Sequence, residues 1–300
     1  MSKQYKASFC LLLTAVIWGI AFVVQEVASD SLPSATFNAI RMTLAAVVML
    51  PLIPLFEKKG LCIPFRKMNG SQKKAMLWGG ISCGTVLALA CYAQQQGLLL
   101  GTGAVKTAFV TGLYIVLVPL VRFITGKGGT FRVWIAVGFC TVGLYLLCFR
   151  GNMTVSPVDL LLLAAAGCYT AQILLIDHFA PRTDSIWFSI VEYLSCALVN
   201  GIIALCTETP TWQGVSDCLL PILYVGLMST AVGYTLQIVG QRDAEPTAAA
   251  LIMSLECTFA VIAEWLMLGS TFTGQELLGC GFMATAVIII QIGGKSKVRE

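Results

Sequence analysis

Charged side chains are scarce in this chain of 300 residues. Asp, Glu, Lys and Arg together make up 11% of it, whereas 57% is hydrophobic. A soluble globular domain is usually about a quarter charged, because polar groups have to cover its surface. The mean hydropathy of +0.84 therefore excludes an ordinary soluble globule. Most of the surface is expected to face lipid, and the composition indicates an integral membrane protein.

Sequence patterns that signal nucleotide or metal chemistry are missing as well. There is no GxxxxGKS or GxxxxGKT phosphate-binding loop, no HExxH pattern and only one histidine, His178. The 12 cysteines are spread through apolar runs without a CxxC pair, which favours buried structural thiols over a disulfide framework or a metal site. We therefore expect no ATP-driven pumping by this chain alone, no cofactor, no metal centre and no enzymatic activity.

Ten apolar runs are long enough to cross a bilayer, or nearly so. They lie at residues 7–26, 33–56, 74–97, 103–125, 131–149, 157–177, 184–206, 217–239, 246–268 and 274–293. The connections are short apart from residues 57–73, which leaves no room for a separate soluble domain. The sequence predicts an all-α integral membrane protein of ten transmembrane helices, with residues 1–300 in a single membrane domain.

Lysine and arginine residues are distributed unevenly between the two sides of this arrangement. With a cytoplasmic N-terminus, the outer side holds only Lys106 and Arg150, and Arg41 lies inside the second run. The other Lys and Arg residues fall on the inner side, including Lys295, Lys297 and Arg299 near the C-terminus. Cytoplasmic loops carry such an excess. We expect a multi-pass protein of the cytoplasmic (plasma) membrane with both termini in the cytoplasm.

The two halves of the chain resemble each other at a shift of 142 positions. The matching pairs are Tyr92 with Tyr234, Gln95 with Gln237, and Tyr114 with Glu256. Each half has five runs, and because five is odd, homologous halves would lie in opposite orientations. The sequence thus predicts two inverted repeats, at about residues 7–150 and 157–293. This plan recurs in secondary transporters, which bind substrate near the membrane midplane between the repeats.

Several polar and aromatic side chains lie deep in the apolar runs. Some share a helix face through spacings of three or four residues. We interpret them as the lining of a central substrate-binding cavity, although hydrogen bonding between neighbouring helices is an alternative role for such residues. The candidate substrate-binding residues are Trp18, Tyr92, Gln95, Thr111, Tyr114, Tyr169, Gln172, Tyr234, Gln237 and Glu256.

Three of the intramembrane residues are ionisable. A carboxylate at the depth of Glu256 costs roughly 2.5–3.5 kcal/mol, so this residue is expected to face a cavity or the bundle interior. Burial favours its neutral form, whereas a nearby cation or hydrogen bonds favour its charged form. Proton exchange, binding of a substrate amine and bracing of two helices therefore all remain open. Arg41 and Glu192 fall on matching positions of the repeats, and either a structural pair or a functional role fits them.

Several stretches resemble the EamA-type branch of the drug/metabolite transporter superfamily. They are WGIAFVVQ at 18–25, the run containing Arg41, TGLYIVLVPL at 111–120 and SLECTFAVIAEWLMLG at 254–269. The resemblance implies ten helices in two inverted repeats, with a cavity lined mainly by helices 1, 3, 4, 6, 8 and 9. It also implies transport of small organic metabolites such as amino acids, nucleosides, vitamins or drugs. Two positions depart from the family pattern: Cys257 replaces a proline that would kink the helix, and Ser270 replaces an acidic residue.

The residues and the resemblance together predict a secondary transporter that works by alternating access. Its substrate would be a small organic metabolite, either amino-acid-like or another polar or aromatic compound. A substrate gradient or a proton gradient would supply the energy. An integral membrane enzyme and a passive facilitator are the alternatives. The expected partners are this substrate and the lipid bilayer, without nucleic acid, and both a monomer and a homodimer fit the sequence.

Overall fold

The computed structural model describes residues 3–127, 130–148, 156–269, 271 and 273–293. The predicted positions Arg150, Ser270, Lys295, Lys297 and Arg299 lie outside this part of the chain. Within it the secondary structure is helical, without strands, as the all-α prediction requires. The main helices are α1 (Lys3–Ser29), α2 (Ser34–Lys58), α3 (Gly70–Leu99), α4 (Ala104–Thr111), α5 (Tyr114–Ile124), α6 (Phe131–Cys148), α7 (Pro157–Phe179), α8 (Ser185–Thr207), α9 (Trp212–Asp217), α10 (Leu219–Leu223), α11 (Thr235–Asp243), α12 (Pro246–Met253), α13 (Glu256–Leu268) and α14 (Gly274–Gly293).

Nine helical stretches of the described residues are long and apolar enough to cross a membrane. The pair α4–α5 forms one of them, the run from α10 to α11 another, and the pair α12–α13 a third. Helix α6, which corresponds to the fifth predicted run, is shorter. Large apolar side chains lie on the outside of these helices, and Leu205 is 89% exposed. Such a surface suits contact with lipid rather than water.

Two of the membrane helices are interrupted at matching positions of the two halves. Residues 112–113 separate α4 from α5, and residues 254–255 separate α12 from α13, which is the same shift of 142 positions. At both interruptions the backbone tightens: Leu113 N–H donates to the carbonyl three residues before it at 3.3 Å, and Leu255 N–H does so at 3.2 Å. Such 3-10-type turns inside a helix often mark a hinge. Both halves therefore carry a potential hinge.

The interruption before α13 does not depend on a proline. The family pattern has a proline where this chain has Cys257, yet the helix breaks two to three residues earlier, at 254–255. The Cys257 thiol instead donates to the Ala108 carbonyl of α4 at 3.3 Å. A Cβ added to Gly112 would lie 3.2 Å from the Cys257 sulfur. The two interrupted helices thus contact each other next to their interruptions.

The stretch Tyr224–Tyr234, between α10 and α11, winds as a π-helix. This wider winding is rare, and it usually occurs as single turns at functional sites. Side chains of two other helices donate to its carbonyl groups. The Trp18 indole N–H donates to the carbonyl of Ser229 at 3.1 Å, and the Tyr193 hydroxyl donates to the carbonyl of Thr230 at 3.1 Å. Helices α1 and α8 therefore hold the π-helical stretch in position.

Helices α6 and α14 pack against each other. A Cβ added to Gly143 of α6 would lie only 2.8 Å from the carbonyl oxygen of Gly279 in α14, so glycine allows the two backbones to approach closely. Neither helix contributes a side chain to the cavity that lies between the other helices of the bundle. Their place corresponds to that of helices 5 and 10, which the family resemblance puts outside the cavity-forming set.

Candidate functional site

A narrow cavity lies between α1, α2, α3, α4, α5, α7, α13 and the π-helical stretch. It contains about 400 Å³ of space between protein atoms, but only about 30 Å³ of that space can hold the centre of a water molecule. The cavity can therefore hold a few water molecules. A metabolite would need the helices to move apart. The lining residues are Trp18, Ala21, Phe22, Gln25, Arg41, Gln94, Thr111, Tyr114, Tyr169, Ser229, Tyr234 and Glu256.

The cavity brings together a large part of the set that the sequence proposed. These residues come from six different membrane-spanning stretches and from both halves of the chain. The candidate residues that line the cavity are Trp18, Thr111, Tyr114, Tyr169, Tyr234, Glu256 and the intramembrane cation Arg41.

The spacing of Tyr92 and Gln95 predicts that their side of α3 faces the cavity. In the structure, a different side of α3 does so. Tyr92 is half-buried and Gln95 is buried, but neither lines the cavity. Gln95 donates its side-chain amide to the backbone carbonyl of Gln25 at 3.0 Å, so it joins α3 to α1. Gln94 lies in the cavity wall instead. Tyr92 and Gln95 do share one side of α3, yet spacing alone does not reveal which side faces inward.

Glu256 meets Tyr114 across the cavity wall. The tyrosine hydroxyl donates to the Oε1 atom of Glu256 at 2.9 Å, and Glu256 is 4% exposed. Each residue is the first residue of the helix that follows an interruption, Tyr114 in α5 and Glu256 in α13. The residues that the repeat alignment matches are therefore in direct contact. A change of backbone angle at either interruption would alter this hydrogen bond.

Arg41 places a positive charge in the same wall without a carboxylate partner. It is 2% exposed, its Nε donates to Asn38 Oδ1 at 2.8 Å, and its Nη1 lies 3.4 Å from the hydroxyl of Thr230. The Phe37 ring centre lies 6.0 Å from the guanidinium carbon. In the described part of the chain, no carboxylate lies within 4.0 Å of its nitrogen atoms. A buried guanidinium normally pairs with an anion, so Arg41 is available to an anionic ligand.

Aromatic rings and their hydroxyl groups form another side of the cavity. The Trp18 and Tyr234 ring centres are 4.7 Å apart. The Tyr169 hydroxyl donates to Gln94 Oε1 at 2.9 Å. The Cys91 sulfur lies 3.8 Å from the hydroxyl of Tyr169 and 3.6 Å from that of Tyr234. Sequence reasoning missed Gln94 and Cys91, although the run of three glutamines at 94–96 is an unusual feature of a membrane helix.

The other polar candidates form a separate buried cluster beside the cavity. Gln172 donates to Glu192 Oε1 at 3.0 Å and to Gln237 Oε1 at 3.2 Å, and Gln237 donates back to Gln172 Oε1 at 3.1 Å. Glu192 is 0% exposed. Arg41 and Glu192, which the repeats align, do not form an ion pair with each other. We call this set of Gln172, Glu192 and Gln237 the amide–carboxyl cluster.

Comparison with known proteins connects this architecture to a transporter family. A model of the EamA-like transporter family matches residues 5–149 and again residues 156–292. An uncharacterised transporter of Archaeoglobus fulgidus is 25% identical over 97% of this chain and 87% of its own length. The threonine/homoserine exporter RhtA of Escherichia coli is 26% identical over 88% of this chain and 82% of its own. A crystal structure superposes with a TM-score of 0.76 over 96% of this chain and 97% of that one. Its sequence is 13% identical, so it shows the fold alone.

Proposed function

Since the chain belongs to the EamA-like transporter family, we propose that it carries a small amino acid across the cytoplasmic membrane by alternating access. The membrane transport itself follows from the family. The charges of the cavity support this substrate class: Arg41 has no carboxylate partner in the described part of the chain, and Glu256 accepts a hydrogen bond from Tyr114. A zwitterionic amino acid brings a carboxylate for Arg41 and an ammonium group for Glu256.

The walls of the cavity favour a small side chain on that amino acid. Trp18, Tyr169 and Tyr234 line the space with aromatic rings and hydroxyl groups, which suit a short side chain that is part apolar and part hydroxylated. The relative RhtA is named as an exporter of threonine and homoserine, which are amino acids of this kind. Threonine and homoserine are therefore the first compounds to test with this protein.

Alternating access would rest on two inverted repeats, at about 7–150 and 157–293. The matching interruptions at 112–113 and 254–255 support this arrangement, because each repeat then has a hinge at the same place. Discontinuous helices at the midplane are a recurring part of such carriers. The Lys and Arg distribution supports both termini in the cytoplasm. In this mechanism, one repeat rocks against the other and exposes the cavity to each side in turn.

Glu256 would hold the substrate ammonium group in this mechanism. Proton exchange at Glu256 is the alternative role, and the two roles predict different behaviour of Glu256→Gln. This variant keeps the shape of the side chain and removes the charge. Loss of amino acid binding at every pH would support the ammonium role. Retained transport with an altered pH dependence would support proton exchange.

An integral membrane enzyme fits the structure less well. Residues 80–84 read GISCG, which has the spacing of a serine hydrolase nucleophile pattern, G-x-S-x-G. That pattern works at a sharp turn between a strand and a helix, whereas these residues lie inside α3. The single histidine of the sequence, His178, lies near the end of α7. A passive facilitator is the other alternative. Counterflow in proteoliposomes distinguishes it from a carrier.

The test is counterflow in proteoliposomes. Vesicles containing the purified protein would be loaded with unlabelled threonine and then exposed to radiolabelled threonine outside. A carrier gives transient, saturable accumulation of label, and Glu256→Gln is expected to abolish it. Glu264→Gln, on the same helix but not in the cavity wall, is the matched control and should behave as wild type. Flux that rises linearly with concentration would indicate a passive pore, and no flux for any amino acid would refute the proposed substrate class.

A further inference from the structure

The amide–carboxyl cluster holds a carboxyl group in an incomplete hydrogen-bonding environment. Oε1 of Glu192 accepts from Gln172, but Oε2 has no hydrogen-bond partner among the described residues although it is fully buried. No Lys or Arg of the described chain lies within 4.0 Å of Glu192. A buried carboxylate needs a cation or several donors. In this conformation, the surroundings of Glu192 suit a protonated, neutral acid.

Helix α3 closes the cluster against water. A Cβ added to Gly84 would lie 2.4 Å from the backbone carbonyl of Glu192 and 2.6 Å from Cβ of Ser195. A Cβ added to Gly80 would lie 2.6 Å from a methyl carbon of Val191. The backbone of α3 thus lies directly on α8 where Glu192 is located. Because Glu192 is 0% exposed, water reaches its carboxyl group only when the surrounding helices, α7 and α11 among them, move apart.

The cluster is connected to the substrate cavity through two helices. Gln172 follows the cavity residue Tyr169 by three positions on α7, and Gln237 follows the cavity residue Tyr234 by three positions. Residues three apart in a helix lie on the same side, about one turn from each other. The Gln172–Gln237 amide pair therefore bridges the two helices that also carry the two tyrosines. A substrate that separates these tyrosines would strain or open the amide pair.

We propose that Glu192 is the proton-binding residue that couples transport to a proton gradient, at a site separate from the substrate cavity. Opening of the Gln172–Gln237 pair admits water, and the Glu192 O–H bond breaks to leave a carboxylate and a hydrated proton. Reprotonation from the other side allows the cluster to close again. This inference rests on the proposed transport function, and it assigns the proton to Glu192 and the substrate ammonium group to Glu256.

The charged and titratable groups around Glu192 come from α2, α3 and its own helix. The cation on α2, Arg41, donates to Asn38 and Thr230 rather than to Glu192. Helices α7 and α11 present the neutral amides of Gln172 and Gln237. The titratable groups that face Glu192 are Cys83 and Cys91 of α3 and Tyr193 and Cys196 of its own helix. Glu192 is the one carboxylic acid among these groups.

The first test separates proton coupling from substrate exchange. In proteoliposomes, Glu192→Gln should keep threonine counterflow within about twofold of wild type, because exchange needs no net proton movement. The same variant should lose accumulation of threonine driven by a pH gradient. Glu264→Gln is the matched control and should retain both activities. Accumulation by Glu192→Gln at the wild-type level would overturn the proposal.

The second test does not depend on the substrate. Infrared difference spectra of the purified protein in lipid vesicles, recorded between acid and alkaline pH, report the carbonyl stretch of protonated carboxyl groups. Wild type should show this carbonyl band. Its intensity should be lower in Glu192→Gln, and the difference between the two spectra is then the contribution of Glu192. An unchanged band in this variant would overturn the proposal. If counterflow fails for every amino acid but this band is lost, the proposed substrate is wrong and the proton site stands.

A third variant covers the possibility that Glu192→Gln does not fold. Gln172→Met removes the donor to Glu192 and keeps a side chain of similar length. Because the carboxylate then loses its hydrogen bond, the Glu192 band should persist to higher pH, and pH-driven accumulation should shift in the same direction. A band and a pH profile identical to wild type would contradict the role of the amide–carboxyl cluster.

Discussion

At the scale of single residues, the acidic and the basic side chain of the cavity wall have different hydrogen-bond partners. Glu256 accepts a hydrogen bond from Tyr114, whereas Arg41 donates to the uncharged groups of Asn38 and Thr230. Burying a charge without a counter-ion is costly, so a fold selected for stability alone would pair or remove it. In the proposed function, the substrate carboxylate is the counter-ion that Arg41 lacks in the described part of the chain. Substitutions at Arg41, Tyr114 and Glu256 should affect substrate binding more than folding.

Tyr114→Phe is expected to raise the KM for threonine about tenfold, with little loss of folded protein. The ring remains in place, but the hydroxyl that positions Glu256 is removed, and a hydrogen bond to a charged group contributes about 1.5–3 kcal/mol. Counterflow kinetics would measure the change. Tyr92→Phe is the matched control, since Tyr92 does not line the cavity, and its KM should equal that of wild type. Equal effects of the two substitutions would contradict the site.

Arg41→Lys is expected to weaken threonine binding at least tenfold although the positive charge is kept. A guanidinium can hold a carboxylate through two parallel hydrogen bonds, and an ammonium group cannot reproduce that geometry. The rise in thermal stability that threonine gives to the purified protein would measure its binding. If Arg41→Lys binds threonine as tightly as wild type, Arg41 does not contact the substrate carboxylate.

At the scale of helices, close approach through glycine brings the cavity residues together. A Cβ added to Gly19 of α1 would lie 2.4 Å from the Cβ of Phe259 and 2.8 Å from the backbone nitrogen of Ala260, both in α13. Small residues at such crossings let membrane helices pack backbone to backbone. This crossing places Trp18 of α1 and Glu256 of α13 on one cavity.

Gly19→Ala is therefore expected to lower stability and to abolish transport. The clash is with backbone atoms and a Cβ, which cannot turn away, and overpacking of this kind typically costs about 1–3 kcal/mol. The unfolding temperature in detergent and threonine counterflow would both be measured. Gly201→Ala on α8 is the control because no atom lies within 4 Å of its added Cβ. The control should be as stable as wild type, and an equally stable Gly19→Ala would refute the close crossing.

At the scale of the whole molecule, polar contacts join the helices at both ends of the bundle. At one end Arg122 Nε lies 3.0 Å from Glu245 Oε1, and at the other Lys106 Nζ lies 2.7 Å from Asp159 Oδ1. These pairs are partly exposed, so each contributes about 1 kcal/mol or less. Weak contacts of this size can break and reform during a transport cycle. Each pair joins two helix ends that the Lys and Arg distribution assigns to the same side of the membrane.

The proposed orientation predicts the positions of two loops. A reporter fused after Gly60, in the turn that follows α2, should be cytoplasmic, and one fused after Gly101, in the turn that follows α3, should be external. The reason is the excess of Lys and Arg on the side of Gly60. Paired enzymatic reporters, each active on one side of the membrane only, would measure this. The opposite pattern at both positions would reverse the proposed topology, and the same location for both would show that α3 does not cross the membrane.

Much of the helical arrangement could be predicted because apolar runs and short connections are strong signals. The repeat alignment placed Tyr114 opposite Glu256, and a hydrogen bond joins them. The face of α3 could not be predicted, since a helix buried on many sides has polar residues that bond to neighbours, as Gln95 does, as well as residues that line a cavity. The interruptions at 112–113 and 254–255 and the π-helix were also missed. They have no proline at the break and depend on contacts between helices.

The narrowness of the cavity has a consequence for the direction of net flow. Helices that can close around a space of about 30 Å³ leave no room for an amino acid. In the proposed mechanism, a carrier with such a conformation would return unloaded and would not be restricted to one-for-one antiport. It would then discharge an excess of its substrate from a cell without taking up another amino acid. Efflux of labelled threonine from preloaded vesicles should therefore proceed into buffer that contains no amino acid. Efflux that requires external threonine would show that unloaded return does not occur.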